Sequence, residues 1–144
     1  MRSAPCRELC DDYAARIRRM EPLQLVEVKD ARGAGGDAGR AQEGERILAQ
    51  LPPGCVALAL DERGPSMKSE ELARFLRERR DRGTKDLRFV IGGAYGLSPA
   101  VLERCNQRLS LSAMTLPHEL ARAVFLEQLY RAWTLLHGVP YHHA

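Results

Sequence analysis

The feature that most constrains this chain is the run Cys-Val-Ala-Leu-Ala-Leu at Cys55–Leu60, which ends abruptly at Asp61. It is apolar without interruption, so neither face of the strand it predicts can meet water. Such runs belong to strands covered on both sides, as in a parallel sheet flanked by helices. The surrounding pattern agrees. Helical periodicity at Ser69–Arg82 follows the run, with Leu72, Phe75 and Leu76 on its inner stripe and Ser69 as the expected N-cap. A second buried strand follows at Leu87–Ile91. Strands that alternate with helices define an α/β fold with a parallel sheet.

The rest of the chain fits this frame. Leu9, Tyr13, Ile17 and Met20 predict an amphipathic helix over Arg7–Met20, and Leu23–Val28 alternates as a short strand would. Residues 31–40, with four glycines, read as a flexible loop, and Ala41–Leu51 as a helix. Ser98 caps a helix with Pro99 at its first position, running to about Asn106. Leu109–Leu116 begins as a strand and turns into a loop. A last helix, from about Pro117 to His137, is apolar over more than half its circumference, which suggests a dimer contact. A length of 144 residues suits one domain, residues 1–144.

Several classes of function are disfavoured. No apolar run approaches a membrane span and no apolar segment follows the N-terminal residues, so a cytoplasmic protein is expected. The cysteines and histidines lack zinc-ligand spacing, so no metal is expected. There is no GxGxxG fingerprint, no Gly-Lys-Ser/Thr after the glycine-rich segment, and no Gly-x-Ser-x-Gly elbow. A net charge of +3, mostly from Arg, is compatible with phosphate recognition without requiring it.

In open α/β sheets, ligands bind beyond the carboxyl ends of the strands. Three such ends are candidates: Leu60; Gly92 and Gly93 after the second strand; and Leu111, Ser112, Ala113, Met114, Thr115 and Leu116. The glycines allow close approach of a ligand to backbone and permit positive φ. The apolar third segment, with its backbone donors and acceptors, suits a flat, partly charged ligand such as an adenosine bearing a short chain.

Phe89-Val-Ile-Gly-Gly-Ala-Tyr-Gly-Leu-Ser-Pro99 resembles the IGG-x-x-GLSP signature of the RlmH family of SPOUT-class methyltransferases, and Leu109-Ser-Leu-Ser-Ala-Met-Thr-Leu-Pro-His118 its second motif; weaker similarity covers Tyr13–Asp30 and Glu43–Leu48, so the resemblance spans most of the chain. Glu127-Gln-Leu-Tyr-Arg-Ala-Trp133 and Pro140-Tyr-His142 resemble the third and fourth, in the family's order. The resemblance implies a SPOUT α/β-knot fold with a parallel sheet and a C-terminal trefoil knot, acting as a homodimer. It implies transfer of a methyl group from S-adenosyl-L-methionine to N3 of a pseudouridine in 23S ribosomal RNA, naked or in an assembled ribosome. It places cofactor contacts at Leu60, Gly92, Gly93 and Leu111–Leu116. One departure stands out: Met1-Arg-Ser-Ala-Pro5 occupies the place of the family's first apolar strand, which therefore looks missing here.

The resemblance and the chemistry of imide methylation together single out His118, Arg131, Tyr141 and His142 as catalytic candidates. A general base would help remove the N3 proton. His118 lies close in sequence to the third strand's loop, Tyr141 and His142 sit in a tail able to reach a pocket, and Arg131 could orient a base or hold a phosphate. Plainer roles exist for each: a helix-start residue at His118, a frayed tail at His142, and an interface or surface residue at Arg131. A non-catalytic RNA-binding or ribosome-associated module of the same fold is the alternative function.

Overall fold

In the computed structural model, which describes residues 2–31 and 35–143, Val56–Leu60 forms strand β1 at the centre of a three-stranded parallel sheet. Its outer neighbours are β2, Leu87–Ile91, and β3, Gln107–Leu109. Ala57, Leu58 and Ala59 are fully buried, so β1 is indeed covered on both faces. The helices are α1 (Ala4–Arg18), α2 (Gly36–Leu48), α3 (Ser69–Asp81), α4 (Pro99–Arg104) and α5 (His118–His137). The α/β architecture with a parallel sheet is therefore as the sequence predicts.

The chain divides into two compact units. One comprises Val26–Ser66 and Thr84–His118, and so holds the whole sheet with α2 and α4. Its core gathers Ile47 and Leu51, the β1 residues Ala57 and Ala59, Val90, and Leu97, Val101 and Leu102. Gly44 sits where α2 meets α4, and a Cβ there would overlap the Ser98 side chain. The other unit comprises Met1–Leu25, Met67–Gly83 and Glu119–Ala144. It is helical, burying Ile17 of α1, Leu72 and Leu76 of α3, and Leu126 and Leu129 of α5. The Ser69 hydroxyl ties α3 to α5 by donating to Gln128 at 2.6 Å.

Four local expectations need correction. Leu23–Val28 forms no strand; Leu25 and Val26 are exposed, and only Val28 packs against the sheet unit's core. Alternation marks a potential strand, but without a pairing partner its backbone stays out of any ladder. Within the expected 31–40 loop, α2 already begins at Gly36, with Asp37 favouring its first turn; residues 32–34 lie outside the described residues. Packing overrides glycine's weak helix propensity there: Gly39 and Gly44 are both buried. Ser69 is not the cap of α3. Lys68 occupies that position, and its backbone N–H donates to Glu71 at 3.1 Å. Finally, α4 stops at Arg104, because Asn106 joins the sheet. Asn106 N–H donates to Ala57 O at 2.8 Å while its side-chain Oδ1 accepts from Ala57 N–H at 2.9 Å. One residue thus satisfies both backbone groups of Ala57 and starts β3.

Candidate active site

The parallel register brings the three candidate strand ends side by side. Leu60 is the Cα partner of Ile91 on one side and of Leu109 on the other. The segments leaving β1, β2 and β3 therefore start level, along one edge of the sheet. Leu60, Gly92, Gly93 and Leu111–Leu116 all belong to the sheet unit.

Each loop is fixed by its own chemistry. After β2, Gly93 O accepts from Gly96 N–H at 3.0 Å, closing a tight turn over Ala94 and Tyr95. A Cβ on Gly92 would lie 2.7 Å from the Gly96 carbonyl carbon, so only glycine fits. The positive φ falls on Gly96, at 78°, and on neither Gly92 nor Gly93. The expected positive φ is therefore absent at both, and what approaches them closely is the chain itself, Gly96 backbone at Gly92 and the Glu43 carboxylate at Gly93. After β3, the interleaved hydroxyls shape the chain: Ser110 Oγ donates to Ser112 O, and Ser112 Oγ accepts from Met114 N–H, both at 2.9 Å. After β1, Asp61 O accepts from Gly64 N–H, and Pro65 O accepts from Ser110 N–H. Thr115 Oγ1 donates to Glu62 at 3.2 Å, tying the loop after β3 to the one after β1. Met114 is left 78% exposed at the crest.

Two buried carboxylate oxygens without hydrogen-bond partners also lie here, the only such side-chain atoms among the described residues: Asp61 Oδ2 and Glu43 Oε1. Asp61 follows Leu60 directly. Its Oδ1 accepts from Arg63 N–H and Nε–H at 3.2 Å, and Arg108 NH1 stands 3.8 Å from Oδ2. Burial works to raise the Asp61 pKa, yet the Arg63 bonds and the charges of Arg63 and Arg108 together hold it below the ordinary value. Glu43, on α2, accepts from Ala31 N–H through Oε2 at 3.3 Å. Its Oε1 would lie 3.0 Å from a Cβ built on Gly93, so the carboxylate is pressed against the tip of β2.

The helical unit holds a second constellation. Arg131 donates from Nε and NH2 to Glu127 Oε1 at 3.0 and 2.5 Å, one helical turn earlier on α5. Tyr141 OH donates to the same oxygen at 3.0 Å, with the Arg131 guanidinium 4.8 Å from the Tyr141 ring centre. Arg131 NH1 lies 3.1 Å from His142 Nδ1, and His142 Nε2 lies 2.8 Å from Glu70. Arg can only donate and a carboxylate can only accept, so these partners assign His142 as the neutral tautomer with its proton on Nε2. Its one lone pair faces Arg131. Burial, with Tyr13 and Glu127, pushes the Tyr141 phenol far above its ordinary value, so it remains a donor. The Glu127 bond raises the Arg131 pKa further.

Arg131, Tyr141 and His142 are thus brought together, whereas His118 is exposed at the start of α5 and belongs to the sheet unit. Glu127, Glu70 and Glu43 were not singled out from the sequence. Only Glu127 had a readable signal, its position four residues before Arg131.

The model of the family described as predicted SPOUT methyltransferase matches residues 1–142. The chain belongs to the SPOUT methyltransferase family. Relatives named ribosomal RNA large subunit methyltransferase H extend along most of it. The protein of Pelobacter propionicus is 53% identical, covering 92% of this chain and 86% of its own length. That of Geotalea daltonii is 50% identical over 92% and 87%, and that of Gemmatimonas aurantiaca 49% over 91% and 86%. The C-terminal motifs of this SPOUT methyltransferase are those that resemble RlmH. No helix among its described residues is long and apolar enough to cross a membrane.

Proposed function

We propose that this chain methylates a base of large-subunit ribosomal RNA, at N3 of a pseudouridine, with S-adenosyl-L-methionine as donor. The observation that carries this reading is the level alignment of three strand ends in a SPOUT methyltransferase, with glycine backbone and unpartnered buried oxygens beside them. The residues present fit such a cofactor. Gly92 and Gly93 put side-chain-free backbone at the end of β2, Leu60 and Leu111–Leu116 supply apolar groups and backbone partners, and the Asp61 and Glu43 carboxylates stand beside them. The relatives' names support ribosomal RNA as substrate.

When bound, the cofactor supplies an electrophilic methyl on a sulfonium. The chain's task is alignment and charge control, and alignment alone can supply much of a rate. N3 must lose its proton to become a good nucleophile. Arg131, held cationic and aimed by Glu127, stabilises the developing imide anion or an adjacent phosphate. Tyr141 and His142 act as donors and supports that fix the guanidinium. His142, its lone pair engaged by Arg131, serves as a base only if that contact opens. His118 remains the separate candidate for a base.

The reading also includes a cytoplasmic homodimer and one knotted methyltransferase domain over residues 1–144. Exposed Leu120 and Leu135 on α5, and Leu9 on α1, support self-association. The decisive experiment is mass spectrometry of ribosomal RNA from a strain lacking the gene. Loss of one methyl from a pseudouridine is expected; unchanged RNA would remove the enzymatic reading. Light scattering of the purified protein tests the dimer.

A further inference from the structure

We propose that Glu43 is a cofactor-binding residue, its free Oε1 beside Gly93 accepting a hydrogen bond from the α-ammonium of S-adenosyl-L-methionine. This rests on the reading above, that the strand ends hold that cofactor, and adds to it a residue from a helix with no motif.

Three observations lead here. The first is cost. A buried carboxylate oxygen without a donor is destabilising, and more so when charged. Glu43 Oε1 is such an atom, while Oε2 is anchored to Ala31 N–H. The second is charge. Asp61, the other carboxylate with an orphaned oxygen, has Arg63 and Arg108 close by, whereas Glu43 makes no ion pair among the described residues. A half-buried carboxylate with one buried, unpaired oxygen is matched best by a partner bringing both a proton and a positive charge. The third is place. The carboxylate stands against Gly93, just beyond the tip of β2 and level with the ends of β1 and β3. Of the cofactor's hydrogen-bond donors, only the ammonium is charged. The hydroxyls and the adenine amine would leave Glu43 unneutralised.

The test is calorimetric titration of the full-length protein and of Glu43→Gln with two probes. One is S-adenosyl-L-methionine. The other is 5′-methylthioadenosine, which keeps the nucleoside and lacks the ammonium. The expected result is a loss of at least about tenfold in affinity for the first probe and little change for the second, in keeping with a charge-assisted bond. The unliganded variant is expected to melt no lower than the wild type, since the orphaned oxygen has no donor to lose. Equal weakening of both probes would overturn the proposal in favour of a role in shaping the strand end. So would unchanged affinity for both, or a variant with lowered melting temperature and normal binding. Failure of the wild-type protein itself to bind S-adenosyl-L-methionine would overturn the reading beneath it as well.

Discussion

The sheet unit and the helical unit build their candidate sites from opposite materials. At the strand ends the working parts are backbone: glycines that leave room, serine hydroxyls that fold a loop, and register that keeps three tips level. In the helical unit the working parts are side chains: Glu127, Arg131, Tyr141, His142 and Glu70, each satisfying its neighbour. Backbone sites are precise because a sheet cannot slip by half a residue. Side-chain networks are tunable because charge and proton position can change without moving the chain.

This division can be broken by experiment. The largest effect is expected from Arg131→Ala: turnover falls by about 10²-fold or more while affinity for S-adenosyl-L-methionine is unchanged. Single-turnover methylation alongside calorimetry checks this, and an equal loss in both would dissolve the distinction. Arg131→Lys should recover little, because an ammonium cannot reproduce the fork on Glu127. Next comes Gly92→Ala. The new methyl meets the Gly96 backbone, so stability drops by about 2–3 kcal/mol and cofactor affinity falls with it. Denaturant titration and calorimetry measure the two together; a variant that binds normally would mean the β2 tip is not part of the site.

Asn106→Ala sharpens the comparison from the structural side. It leaves Ala57 N–H without its acceptor and costs about 1–2 kcal/mol in denaturant unfolding, with kcat per folded molecule preserved. The smallest effect concerns pH. The Asp61 pKa is lowered in the folded state, so its stabilising contribution is complete above the ordinary value of 3.8 and is lost as pH falls through the lowered one. Asp61→Asn should flatten that acid-side loss, seen as a smaller drop in melting temperature between neutral pH and about pH 3. An unchanged slope would mean that Arg63 and Arg108 do not engage the carboxylate in solution.

Much of the sheet unit was legible in the sequence because its signals are local. An uninterrupted apolar run, a glycine pair at a strand end and a Ser-Pro helix start each state their structure within a few residues. β3 was harder to read: Gln107 and Arg108 are polar because the strand is an outer one, and its first partner is a side chain. The alternation at Leu23–Val28 misled for a related reason, since a strand exists only with something to pair. The start of α2 was hidden by Gly36 and Gly39, poor helix formers whose place in the helix depends on packing such as the burial of Gly39. Arg131, Tyr141 and His142 could be nominated through family resemblance, but their assembly around Glu127 depends on a chain reversal that no periodicity reveals. Glu43 opens a stretch, Glu43–Leu48, of weaker family similarity, but its role was not legible, because an orphaned oxygen is a fact about surroundings.

The shared oxygen of Glu127 has an evolutionary consequence. One atom takes bonds from both Arg131 and Tyr141, so replacing either partner leaves the other with an altered bond rather than a free choice. Positions 127, 131 and 141 should therefore drift as a unit across descendants of this lineage, with tolerated changes arriving in combinations and lone substitutions rare.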